Sequence, residues 1–110
     1  MVIAMKKVEG RFYFKQTSNG NLIGEFSNDD TERTYTESAD IITKLGKYDY
    51  IGDYHTTWYE DGACFAKLNI RKKYDSIFSL EWLGESHFKG EGMLCDNTLI
   101  GNYWSIDKDK

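Results

Sequence analysis

The sequence predicts an all-β fold, a single closed eight-stranded antiparallel up-and-down (meander) β-barrel. Three observations carry this. A five-residue motif (apolar, isoleucine, glycine, polar, aromatic) occurs three times, as Leu22-Ile23-Gly24-Glu25-Phe26, Tyr50-Ile51-Gly52-Asp53-Tyr54 and Leu99-Ile100-Gly101-Asn102-Tyr103. The chain carries six Phe, eight Tyr and three Trp but no proline, and aromatic side chains suit a pleated surface. Finally, Ile23, Ile51, Ile77 and Ile100 recur at intervals that fit four successive hairpins. Period-two alternation places the first apolar residue, the glycine and the aromatic of each motif on one face. A glycine recurring at one place in a strand marks a bend or a close approach, so the motif points to a sheet that curls onto itself.

The elements follow in order. Val8 to Thr17 alternates Phe12 and Phe14 with Arg11, Tyr13 and Lys15 as strand one, and Ser18-Asn19-Gly20-Asn21 is a hairpin turn, because Asn-Gly tolerates positive φ. The first motif copy is strand two, ended by Asn28-Asp29-Asp30-Thr31. Arg33 to Leu45 reads as strand three through its threonines and Tyr35, although Glu37 to Leu45 also suits a short helix. Lys47 to Tyr59 is strand four, and Glu60-Asp61-Gly62 turns the chain into strand five, Ala63 to Lys72. Ile77 to Leu83 is strand six, and His87 to Cys95 is strand seven. Asp96-Asn97-Thr98 leads into the third motif copy as strand eight. A meander of this size removes its sheet edges by closing, and about eight strands enclose a packed interior or one small ligand.

The expected inward set is Phe12, Phe14, Leu22, Phe26, Tyr50, Tyr54, Trp58, Leu68, Phe78, Leu80, Trp82, Phe88, Leu94, Leu99 and Tyr103. Burying a large apolar side chain stabilises by roughly 1.5–3 kcal/mol, which decides inside against outside. The tyrosine and tryptophan tips in this set need partners when buried, a mixture closer to a ligand cavity than to an aliphatic core. Outward positions are not cleanly polar: Ile23, Ile51, Ile77, Leu83, Met93, Ile100, Trp104 and Ile106 would form a sticky surface. Such a patch predicts a homo-dimer or homo-tetramer unless Val2-Ile3-Ala4-Met5 covers part of it.

The 110 residues suffice for one domain, 1–110, with 1–7 as an N-terminal tail. A net charge of −4 argues against a nucleic-acid binder. No stretch is long enough to span a bilayer and the start lacks a secretory signal, so a cytoplasmic location without membrane association is the expectation. Turns after odd-numbered strands gather Lys44, Lys47, Arg71, Lys72 and Lys73, and turns after even-numbered strands gather Asp29, Asp30, Glu32, Glu60, Asp61 and Glu85. A cavity opening at the basic end would favour an anionic or carboxylate-bearing molecule.

Chemistry is sparse. Cys64 and Cys95 fall at opposite ends of such a barrel, too far apart for a disulfide, and free thiols fit a reducing compartment. His55 and His87 are placed outward. Asp49, Asp53 and His55 share a face without a fourth ligand, and no phosphate loop, nucleophile elbow or metalloprotease pattern occurs. Glu37 and Glu91 lie within strands with nothing to pair them as acid and base. No metal, cofactor or catalytic group is therefore assigned.

In Asn19-Gly20-Asn21-Leu22-Ile23-Gly24-Glu25-Phe26-Ser27, His55-Thr56-Thr57-Trp58 and Leu99-Ile100-Gly101, the chain resembles the calycin superfamily, and within it the avidin and streptavidin family. That resemblance implies a ligand cavity at the odd-turn end and a dimer or tetramer. It does not extend to biotin chemistry: Phe26 stands where the family has a ligand-binding tyrosine, and Tyr103 where it has an aspartate. The functional expectation is a small organic ligand held by Phe14, Phe26, Tyr50, Tyr54, Trp58, Trp82 and Tyr103, with Lys47 and Arg71 at the basic end. The alternatives are an oligomeric structural or interaction module with a filled barrel, and a cofactor-free isomerase or cyclase on the same scaffold.

Overall fold

The computed structural model describes residues 8–31, 33–45 and 50–106. Among these it contains eight strands: β1 (Glu9–Gln16), β2 (Leu22–Asn28), β3 (Tyr35–Lys44), β4 (Gly52–Tyr59), β5 (Ala63–Lys72), β6 (Phe78–Gly84), β7 (His87–Cys95) and β8 (Thr98–Ile106). Each pairs antiparallel with the next, and β8 pairs with β1, so the sheet is a closed up-and-down barrel. The segment that also suited a helix is strand β3. Its register shifts between Ile41 and Thr43, and the Ile41 N–H donates to Asn21 Oδ1 at 2.8 Å.

The turns form where residue types allow positive φ. Gly20 has φ 89°, Asp61 58° and Gly62 117°. Asp96 (φ 53°) and Asn97 (φ 67°) form a two-residue connection between the paired Cys95 and Thr98. Positive φ at both central residues matches the strand twist of a tight hairpin.

All three motif copies turn their alternate residues inward, with Leu22, Phe26, Tyr50, Tyr54, Leu99 and Tyr103 buried. The motif glycines exist because a neighbouring backbone comes close. A Cβ on Gly24 would sit 1.8 Å from the Tyr13 carbonyl oxygen, and one on Gly101 would sit 1.9 Å from that of Glu91.

The half of the interior toward the odd-numbered turns is solid. Phe14, Leu22, Tyr54, Thr56, Leu68, Ile70 and Leu99 are fully buried there and around the waist. The Tyr50 hydroxyl lies 3.0 Å from the Phe14 carbonyl and 2.9 Å from that of Asn97, and Tyr54 donates to the Tyr50 carbonyl at 3.0 Å. These bonds tie Tyr50 to β1 and to the β7–β8 turn, and Tyr54 to Tyr50.

Some positions depart from the alternation. Leu94 was expected inside but is 46% exposed, because it lies at the end of β7 beyond the packed interior. Ile51 was expected outside but is buried; it precedes β4, where alternation does not yet apply. Ala39, Ala66, Ile70, Glu37 and Thr56 join the interior. The tail 1–7, Glu32 and the start assigned to strand four, including Lys47 and Asp49, lie outside the described residues.

Candidate functional site: an aromatic pocket with a buried carboxyl

The other half of the interior is not filled. Toward the even-numbered turns the barrel encloses a pocket of about 100 Å3. Its wall is aromatic, formed by Phe12 of β1, Phe26 of β2, Trp58 of β4, Trp82 of β6, Phe88 of β7 and Tyr103 of β8. Val8, Asn28, Asp30 and Glu60 line it nearer the mouth, and Glu37 of β3 reaches it from the side.

The rings hold one another mostly edge to face, a favoured arrangement for aromatic quadrupoles. Phe26 meets Trp58 at 6.1 Å and Tyr103 at 6.0 Å, both near perpendicular. Phe12 meets Trp82 at 5.6 Å, and Phe88 meets Tyr103 at 5.6 Å. Phe26–Trp58, Phe26–Tyr103 and Phe12–Trp82 join strands that are not paired, so the rings brace one another across the barrel.

Glu37 is the chemical centre of the pocket. In register it lies opposite Gly24 and Trp58, and it is 4% exposed. Thr56 Oγ1 donates to its Oε2 at 2.5 Å, and Trp82 Nε1 donates to the same oxygen at 2.9 Å. The other oxygen, Oε1, accepts no hydrogen bond among the described residues. Burial pushes the carboxyl up to about 7, against the lowering effect of the Thr56 and Trp82 bonds. The Thr56 hydroxyl also lies 3.2 Å from the Ser38 carbonyl. It can donate to ionised Glu37, or accept from the protonated acid while donating to Ser38, so Oε2 is partnered in both states.

Tyr103 carries the second polar tip. Its hydroxyl oxygen accepts from Asn28 Nδ2 at 2.9 Å. Burial pushes its pKa up to about 12; the Asn28 bond opposes this, and the negative charges of Glu60, Glu37 and Asp29 add to it. The pocket therefore lies in a negative field.

Of the residues assigned to ligand contact from sequence, the structure brings Phe26, Trp58, Trp82 and Tyr103 together on this wall. Phe14, Tyr50 and Tyr54 belong to the packed half beneath it. Arg71 is on the outer surface, where Nη2 pairs with Asp53 at 2.9 Å and Nη1 donates to the Gly52 and Ile70 carbonyls. Lys47 lies outside the described residues. The aromatic pocket opens toward the acidic turns, not at the odd-turn end that the avidin resemblance implies.

Sequence reasoning passed over Glu37, Phe88 as a wall residue beside Tyr103, and Asn28. The available signal for Glu37 was its shared parity with Tyr35 and Ala39, which becomes informative only once pairing with Gly24 is known. Elsewhere His87 contacts Glu81 at 2.6 Å on the outer face, and the His55 ring meets Phe65 tilted at 34° with centroids 5.9 Å apart. Cys64 and Cys95 are free thiols. Among the described residues no three His, Cys, Asp or Glu side chains converge as a metal site, and no helix is long and apolar enough to cross a membrane. No family model matches the chain, and neither a curated protein nor a solved structure matches it significantly.

Proposed function

We propose that this barrel binds a small organic molecule in the aromatic pocket at its even-turn end. One observation carries the reading: an unfilled space of about 100 Å3 walled by six aromatic side chains, with one buried carboxyl on its side. A core built only for stability gains by filling such a space, since voids forfeit dispersion contacts. Binding-site walls typically combine apolar and aromatic surface with a few placed polar groups. A calycin-like reading is supported by the closed eight-stranded up-and-down barrel itself. Two free cysteines, one exposed, favour a reducing cytoplasmic setting.

Because Trp58 and Trp82 form the wall, their emission reports occupancy. Titration with butan-1-ol, n-butylamine and butyrate is expected to shift tryptophan emission and raise the melting temperature for at least one probe. If no probe moves either signal, the reading fails.

A second reading, self-association, is favoured by a specific surface. Tyr13, Ile100 and Met93 lie side by side across β1, β8 and β7, with Ile100 44% and Met93 50% exposed. A homo-dimer or homo-tetramer burying this strip is compatible with ligand binding, because the strip is on the outer wall and the mouth is at the barrel end.

A further inference from the structure

We propose that the pocket selects a protonated alkylamine, whose ammonium N–H is donated to Oε1 of Glu37 while its carbon chain lies against the aromatic wall. This rests on the ligand-pocket reading above and names the chemical class it takes.

Charge is the first argument. Among the described residues the carboxyls lining the pocket are Asp30, Glu37 and Glu60, and no lysine, arginine or histidine lines it. The same turns add Asp29, Asp61 and Glu85, against Arg33. A lining of one sign in a low-dielectric cleft concentrates the opposite charge and repels its own. An anionic guest would be brought against Glu37 and is disfavoured.

The second argument is the unequal use of the Glu37 oxygens. Oε2 receives both Thr56 and Trp82, whereas Oε1 accepts nothing among the described residues. A carboxylate in the interior is costly unless it is paired and hydrogen-bonded. An ammonium N–H supplies both the missing donor and the counter-charge in a single charge-assisted bond. A hydroxyl supplies only the donor, and a quaternary ammonium only the charge.

The third argument is the wall itself. Tryptophan faces are the best π partners for a cation, and two tryptophans flank Glu37, Trp58 as its cross-strand partner and Trp82 as its hydrogen-bond donor. Size then limits the guest. A space of about 100 Å3 compares with ~30 Å3 for one water. It takes the ammonium head and the first carbons of a chain, with the remainder leaving through the mouth.

The test compares n-butylamine, butan-1-ol, butyrate and tetramethylammonium on the full chain at pH 8, by isothermal titration and tryptophan emission. Protonated butylamine is expected to bind ~10-fold or more tightly than the alcohol, a gap of the size charge-assisted bonding and cation–π contact supply. Tetramethylammonium is expected to fall between them, and butyrate not to compete. In Glu37→Gln, whose amide oxygen can still accept from Thr56 and Trp82, the amine is expected to lose its advantage while the alcohol keeps its affinity. Equal binding of alcohol or butyrate by the parent protein overturns the amine assignment and leaves the ligand pocket standing. An amine preference that survives Glu37→Gln removes Glu37 from the role. Binding by no probe overturns the pocket reading and the amine assignment together.

Discussion

Glu37 is a carboxyl held among rings, and its proton is linked to folding. In the folded chain it titrates near 7, against an ordinary value of 4.5. Between these values the folded state keeps a proton that the unfolded state has released. Its contribution to stability is therefore fully present below about 4.5 and is lost as the pH rises through 7. The span corresponds to about 3 kcal/mol at one unit per 1.36 kcal/mol. The other groups near it on the packed elements are Thr56 and Trp58 of β4, Trp82 of β6, Tyr103 of β8 and Glu60 at the rim, and Tyr103, at about 12, stays neutral throughout this range. The expected outcome is that urea midpoints of the parent protein fall relative to those of Glu37→Gln between pH 5 and pH 8. A difference between the two that is flat across that range would exclude the linkage. Little of this was legible from residue order, where Glu37 reads as one of several acidic residues in a threonine-rich strand. What makes it distinctive is Gly24 on one side and Trp58 on the other, and both come from register.

At the level of the element, the repeated motif works through its glycine. Strands β1 and β2 approach so closely at Gly24 that an added Cβ meets a backbone oxygen, which cannot swing away as a side chain can. Gly24→Ala is expected to cost about 1–3 kcal/mol, the usual penalty for forced overpacking, read as a lowered denaturant midpoint. Ile23→Ala next to it, at a 52% exposed position, is expected to change stability by less than about 0.5 kcal/mol. Equal costs at the two sites would contradict the account of the motif. The turns were legible because Asn-Gly and Asp-Gly carry their φ requirement in their own chemistry. Strand β3 was harder to read. Its register shift between Ile41 and Thr43 breaks the period-two pattern where Ile41 and Ile42 stand together, so alternation there matches neither a regular strand nor a helix. The stray Ile41 N–H is satisfied by Asn21, twenty positions earlier in the chain, a partner that no local pattern contains.

At the level of the whole molecule, closure divides the barrel into a packed half and a half with an unfilled pocket, and leaves an apolar strip outside. If Tyr13, Ile100 and Met93 form a contact between copies, light scattering gives a multiple of the 12.8 kDa chain mass, and Ile100→Lys with Met93→Lys returns the monomer. A strictly monomeric parent protein removes the oligomer reading and leaves the pocket untouched. The sequence alone determined the architecture: eight alternating segments, turn chemistry between them, inward aromatics and a curling motif, because each of these is encoded within a few neighbouring residues. It also sorted acidic turns from basic ones. Only the tertiary structure decided which end opens. That depends on how large side chains from different strands fill the two halves: Tyr50 and Tyr54 bond back to the backbone in the half toward the basic turns, while the rings toward the acidic turns brace one another around the pocket that Glu37 lines. Volume filling is a property of the closed barrel, set by side chains far apart in the chain. For that reason the aromatic pocket lies toward the acidic turns, which residue order alone did not reveal.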